Sequence, residues 1–144
     1  MLNARRMFRR STLLCIATLA AALPLAAATR LPTLADAQPG MWEISGVPGA
    51  RAPVRQCVGF VPMLARFEHR SKSCTAKVLK SAGSLTSVEY KCGAAGFGHS
   101  ELEVITPRSL KISTQGISDG LPFNYVLQAR RVGDCQRANP ALPH

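Results

Sequence analysis

The chain has 144 residues and carries 18 Lys and Arg against 8 Asp and Glu, a formal net charge of +10. Four of those eighteen basic residues fall in the first ten positions, which leaves fourteen against eight, or +6, for the remainder. That excess is scattered (Arg51, Arg55, Arg66, Arg70, Lys72, Lys77, Lys80) with no run of five, so no nucleic-acid patch is indicated, and the length excludes two ordinary domains.

The N-terminus reads as an export signal. Arg5, Arg6, Arg9 and Arg10 form a basic n-region, and Leu13 to Ala28 is an uncharged run of sixteen residues. A spanning helix needs about 20 apolar residues, whereas this length suits the apolar region of a cleavable signal peptide. Cleavage after Ala28 frees a chain that starts at Thr29; an alternative A-x-A site ends at Ala37. Arg5-Arg6-Met7-Phe8 loosely resembles the twin-arginine export motif. Cys15 follows Leu14 in mid-run rather than a small residue at its end, so a lipoprotein site is rejected. The expected location is the periplasm or beyond, with no transmembrane segment once the leader is gone.

The organisation expected is a signal peptide over residues 1–28, a linker over 29–38, one β-rich disulfide-bonded domain over 39–135 and a disordered tail over 136–144. Trp42 and Ile44 alternate with Met41, Glu43 and Ser45, the period of a half-buried strand. Gly46 to Pro53 is a turn region, and Val54 to Val58 a second short strand. Pro62 suits the first turn of a helix, with Met63, Leu64 and Phe67 on one apolar face. Strand patterns follow at Cys74 to Val78 and Thr86 to Cys92, joined by a turn at Ser81 to Ser84. After a Gly-rich turn at Gly93 to Gly98, further strands are expected around Leu102 and Val104 and around Leu110 and Ile112. A turn at Thr106 to Ser109 separates those two. Gly116 to Pro122 reads as a loop, and Phe123, Tyr125 and Leu127 as one face of the last strand.

About seven short strands with one short helix and one apolar face make the fold class mainly β. Antiparallel pairing follows from the short intervals, and a curved meander or partial barrel is the expected architecture. Cys57, Cys74, Cys92 and Cys135 remain once Cys15 leaves with the leader. An even count in an exported chain reads as two disulfides, and gaps of 17, 18 and 43 residues lack the close pairs of a zinc site. Of three connectivities, Cys57–Cys74 with Cys92–Cys135 is the one expected. In the chain-entropy picture its loops contribute roughly 3 and 4 kcal/mol.

Pro39-Gly40-Met41-Trp42-Glu43, Gln56-Cys57, Cys74, Tyr90-Lys91-Cys92 and Arg130-Arg131-Val132-Gly133-Asp134-Cys135 together resemble a bacterial exported-protein family, domain of unknown function 3617. The resemblance runs from about Pro39 to Cys135. It implies a periplasmic or secreted β-rich domain with two disulfides and carries no activity. Members often have a Met- and Gly-rich stretch before the last strand, whereas Thr114 to Phe123 here contains no Met.

Catalytic chemistry finds little support. Of three histidines, His144 is terminal, and His69 sits in the polar stretch Arg66 to Lys72, where a solvent-facing position is expected. His99 and Ser100 are consecutive strand residues and point to opposite faces, so they do not form a dyad. Glu101 and Glu103 share a strand face that is expected to meet water. No catalytic residue, metal ligand or cofactor is assigned, and a non-enzyme is expected. Trp42, Phe123 and Tyr125 are the candidate ligand-facing residues, placed around an apolar pocket on the concave side of the sheet. The function expected is a binding module for a small apolar or amphipathic ligand. The alternative is an envelope interaction protein whose basic face (Arg51, Arg55, Arg66, Arg70) meets anionic lipid, polysaccharide or a protein.

Overall fold

A computed structural model describes residues 30–136. The expected leader over residues 1–28, and the tail past Gln136 with His144, lie outside the described residues. Seven strands form one antiparallel sheet: β1 (Gly40–Ser45), β2 (Val54–Val58), β3 (Thr75–Ala82), β4 (Leu85–Lys91), β5 (Gly96–Thr106), β6 (Ser109–Ser118) and β7 (Leu121–Gly133). Their spatial order is β2-β1-β7-β6-β5-β4-β3. Strands β3 to β7 are a meander, and the β1–β2 hairpin adds itself to the free side of β7.

Of the architectures anticipated, the meander is the one formed. The sheet is open and uncurled, with β2 and β3 as separate edges, and does not close toward a barrel. A second layer makes closure unnecessary. The segment Val61–His69, a 3₁₀ helix broken at Arg66 (φ −107°, ψ 36°), lies across one face of the sheet. Leu64 and Phe67 from this helix join Trp42, Ile44, Leu102, Val104, Leu110, Ile112 and Leu127 in a single buried cluster. Pro62 begins the helix as expected. Met63, assigned to the apolar face with Leu64 and Phe67, instead stays 42 % exposed, and Val61 and Ala65 are buried in its stead.

Residues 30–38, expected as a linker, also cover the inner face. Leu34–Asp36 forms a 3₁₀ turn, Asp36 Oδ2 accepts from Thr33 N and Oγ1 at 2.8 Å, and Leu34 and Ala37 pack on the core. The expected loop Gly116 to Pro122 is mostly strand. β6 runs to Ser118, and only Asp119 (φ 47°) and Gly120 (φ 83°) form the turn. Gly116 is a strand residue paired with Gly98 and Phe123; a Cβ there would overlap the Phe97 carbonyl first and stand 3.0 Å from the Phe123 ring.

Both disulfides form, but the expected pairing of Cys57 with Cys74 and of Cys92 with Cys135 is incorrect. The bonds are Cys57–Cys135 and Cys74–Cys92. Strand order is the cause. Thr75 pairs with Lys91, so Cys74 and Cys92 face each other at the open end of the β3–β4 hairpin. Met41 of β1 pairs with Cys57 on one side and Gly133 on the other. That register brings Cys135, just past β7, within 5.4 Å of Cys57 (Cα–Cα).

Candidate functional site

Alternation gives the sheet two unlike faces. The outer face carries Glu43, Glu89, His99, Glu101, Glu103, Lys111 and Gln115. There Glu43 accepts from Arg55 of β2 (2.6 and 3.0 Å) and Arg130 of β7 (3.1 Å), and those two bonds, largest first, hold its carboxyl below its ordinary value. The inner face carries the core and, at one end of β4 to β7, a row in register across those four strands: Tyr90, Gly98, Gly116 and Phe123. A Cβ on Gly98 would overlap the Tyr90 ring, and one on Gly116 would overlap the Phe97 carbonyl, so Gly98 makes room for a ring and Gly116 for the neighbouring backbone.

The candidate ligand-facing residues separate on inspection. Trp42 is fully buried and its Nε1 donates to the Gln38 carbonyl at 3.1 Å. It anchors the core and faces no cavity, which corrects the ligand-facing assignment; alternation put it on the apolar side, and the 30–38 segment then sealed that side. Phe123 and Tyr125 are neighbours on β7, with ring centroids 5.7 Å apart. Tyr125 donates to Glu68 Oε2 at 2.6 Å, and burial followed by that bond raises its phenol well above the usual range. Phe123 also borders an open depression of about 470 Å³ with Phe97, His99, Gln115 and Ile117.

His69 overturns its expected solvent-facing position. It is 1 % exposed, its Nε2 donates to the Ala95 carbonyl at 3.0 Å, and its ring centroid lies 5.5 Å from Tyr90 and 6.0 Å from Phe123. The break at Arg66 turns the last helical residues back into the core, which a polar composition did not disclose. Among the described residues His69 Nδ1 and the Tyr90 hydroxyl have no hydrogen-bond partner, and burial raises the Tyr90 phenol.

Ser100 and His99 lie on opposite faces, as alternation requires. Ser100 Oγ donates to the Ala65 carbonyl at 2.5 Å and lies 2.7 Å from Thr114 Oγ1, while His99 approaches Ser87 Oγ at 3.3 Å. Glu101 and Glu103 sit on the outer face, Glu103 3.8 Å from Lys111. Among the described residues no cluster of three or more His, Cys, Asp or Glu is placed to hold a metal, and no helix is long and apolar enough to cross a membrane. The four arginines proposed as one basic face are dispersed. Arg55 pairs with Glu43 on the outer face, Arg51 lies in the turn before β2, and Arg66 and Arg70 belong to the helical layer, with Arg70 stacked 4.5 Å over Phe67.

The feature the sequence reading missed is a groove of about 370 Å³ between the helical segment and the inner side of β3 and β4. Phe60, Pro62, Met63 and Ala65 line it from the helix, Ala76, Val78, Val88 and Tyr90 from the strands, and Leu34 from the N-terminal turn. Phe60 is 63 % exposed and Val78 58 %, although solvent contact at large apolar side chains costs about 25 cal/mol per Å². Phe60 precedes the helix in extended backbone (φ −136°, ψ 101°), which leaves its ring outside the helix–sheet contact. On β3 the register shifts between Val78 and Lys80, a bulge that re-aims an edge strand. Two signals were readable: the apolar Phe60-Val61-Pro62-Met63 run, longer than one helix face needs, and the consecutive Val78-Leu79, which breaks alternation.

The chain matches no family model, no curated protein and no solved structure. Of the motif residues behind the resemblance to domain of unknown function 3617, Pro39-Gly40 and Arg131 to Gly133 lie together where β1 pairs with β7, whereas Cys74 and Tyr90 to Cys92 lie on the β3–β4 hairpin. Arg131 Nε donates to the Pro39 carbonyl at 2.7 Å, and a Cβ on Gly40 would overlap the Gly133 carbonyl. The opening and closing motifs thus lock β1 to β7.

Proposed function

We propose that this domain is a non-enzymatic binding module, exported to the periplasm or beyond, for a small apolar or amphipathic ligand, and a member of domain of unknown function 3617. The observation that carries the binding role is the apolar groove at the β3 edge, with Phe60, Met63 and Val78 held open to solvent between the helical segment and the sheet. Its volume lies toward the small end of ligand pockets, roughly 300–1,000 Å³. Export is supported by the basic and apolar leader and fits two disulfides, which persist in oxidising compartments. The family reading rests on its ordered motif residues.

Native mass spectrometry on the protein recovered after export with its own leader tests the reading. The expected result is a chain beginning at Thr29, lighter by the four hydrogens of two disulfides, with an extra mass that leaves on activation. Val78→Glu, an exposed edge position, is expected to lose that mass while keeping both disulfides. A wild-type chain that is bare under gentle conditions and that binds no apolar probe overturns the binding role.

A further inference from the structure

Among the described residues Arg66 is the one charged residue lining the groove. Resting on the binding role above, we infer that the ligand is a single-chain amphiphile with an anionic head, the head seated on Arg66 and the chain lying between Phe60, Met63 and Val78. The guanidinium is held in place without being neutralised: Nη1 donates to the Lys72 carbonyl at 2.7 Å, and among the described residues Arg66 enters none of the six ion pairs. One bond to a carbonyl leaves most of the five donors of a guanidinium for a further acceptor.

The acids are engaged or placed elsewhere. Asp36, Glu43, Glu89, Glu103 and Asp134 have basic partners, and Glu68, two residues from Arg66, accepts from Tyr125. Glu101 is on the outer face, and Asp119 is in the β6–β7 turn. A cation beside an apolar wall with no carboxylate to meet it is complementary to a carboxylate, sulfate or phosphate on an alkyl chain. Such charge-assisted bonds are about twice as strong as neutral ones, and the guanidinium fork suits planar and tetrahedral oxyanions. The modest volume of the groove fits one chain rather than two.

Titration of the exported, disulfide-bonded protein with dodecanoate, dodecanol and dodecylammonium below their aggregation limits separates head from chain. The expected order is dodecanoate first, about tenfold tighter than dodecanol, with dodecylammonium weakest. Arg66→Gln is expected to bring the acid and alcohol together, and Arg66→Lys to retain part of the preference, which keeps the test readable if the Gln variant folds poorly. Equal binding of acid and alcohol to the wild type, or tighter binding of the amine, overturns the anionic head and leaves the groove standing. Binding of none of the three overturns the groove itself as the site.

Discussion

At the β1 end of the sheet Trp42 and Ile44 are wholly buried, the indole N–H is bonded to Gln38, and β1 is flanked on both sides. At the other end every residue of β3 is exposed, and Val78 keeps 58 % of its surface in contact with water. Both ends contribute apolar side chains to the inner face, although alternation on β3 breaks at Val78-Leu79. They differ in what lies above them. The helical segment lies over β2, β6 and β5 and Gln38 caps the Trp42 indole, whereas over β3 the helix presents Phe60 and Met63 across an open groove. Stability is expected to be concentrated in the sealed half, and the ligand site proposed here lies in the open one.

The sharpest way to break that comparison is to truncate one large side chain at each end. Trp42→Ala removes a fully buried indole and is expected to destabilise the fold by about 4 kcal/mol, a large part of the roughly 5–15 kcal/mol of a whole domain. Val78→Ala is expected to change stability by under about 0.5 kcal/mol and to weaken binding of an alkyl probe. Denaturant midpoints for both variants, with a binding titration for the second, check the pair. A comparable loss of stability from both substitutions would mean that β3 is packed in solution and that the groove is closed.

The disulfides divide along the same line. Cys57–Cys135 closes 78 residues around the sealed end and Cys74–Cys92 closes 18 at the open end. By loop entropy the longer bridge contributes about 4.5 kcal/mol and the shorter about 3. The double variant Cys57→Ser/Cys135→Ser is therefore expected to unfold about 1 kcal/mol more easily than Cys74→Ser/Cys92→Ser. The second variant is expected to lose more affinity for an alkyl probe, because Cys74 itself lines the groove. Urea unfolding of each, alongside the binding titration, reads both effects; an inverted order of stability would show that the β3–β4 hairpin is the stronger half.

Legibility followed the same boundary. Strand alternation around Trp42, Val88, Leu102 and Ile112 was readable because each of these strands buries one face against a continuous layer. The disulfide pairing was not, because it depends on β7 lying beside β1, a contact between residues about 90 positions apart that no local pattern records. His69 was misplaced because charge density in Arg66 to Lys72 suggests a surface, and only the backbone break at Arg66 brings that ring inside. Trp42 was assigned to the correct face, but the layer that covers it includes residues 30–38, whose one proline and lack of periodicity gave no sign of packing. The groove was missed for the converse reason: Phe60, Met63 and Val78 look like core residues, and composition cannot tell an apolar side chain that is covered from one that is left open.

The smallest effect expected lies on the outer face at the sealed end. The Arg55 and Arg130 bonds hold Glu43 below its ordinary value near 4.5. A depressed carboxylate contributes stability that is fully present above that value and is lost as pH falls through the lower value it has in the folded chain. Asp36, held low first by the Thr33 backbone N–H, titrates in the same direction, so Glu43→Gln is the variant that isolates the Glu43 bonds to Arg55 and Arg130. Its stability is expected to fall slightly below that of the wild type at pH 7, the gap closing as the pH is taken well below 4.5. Added salt is expected to narrow the gap at neutral pH, since exposed ion pairs are screened. Urea midpoints measured across that range give the test: a gap that persists in acid would show that Glu43 holds β2 and β7 to β1 by packing rather than by charge.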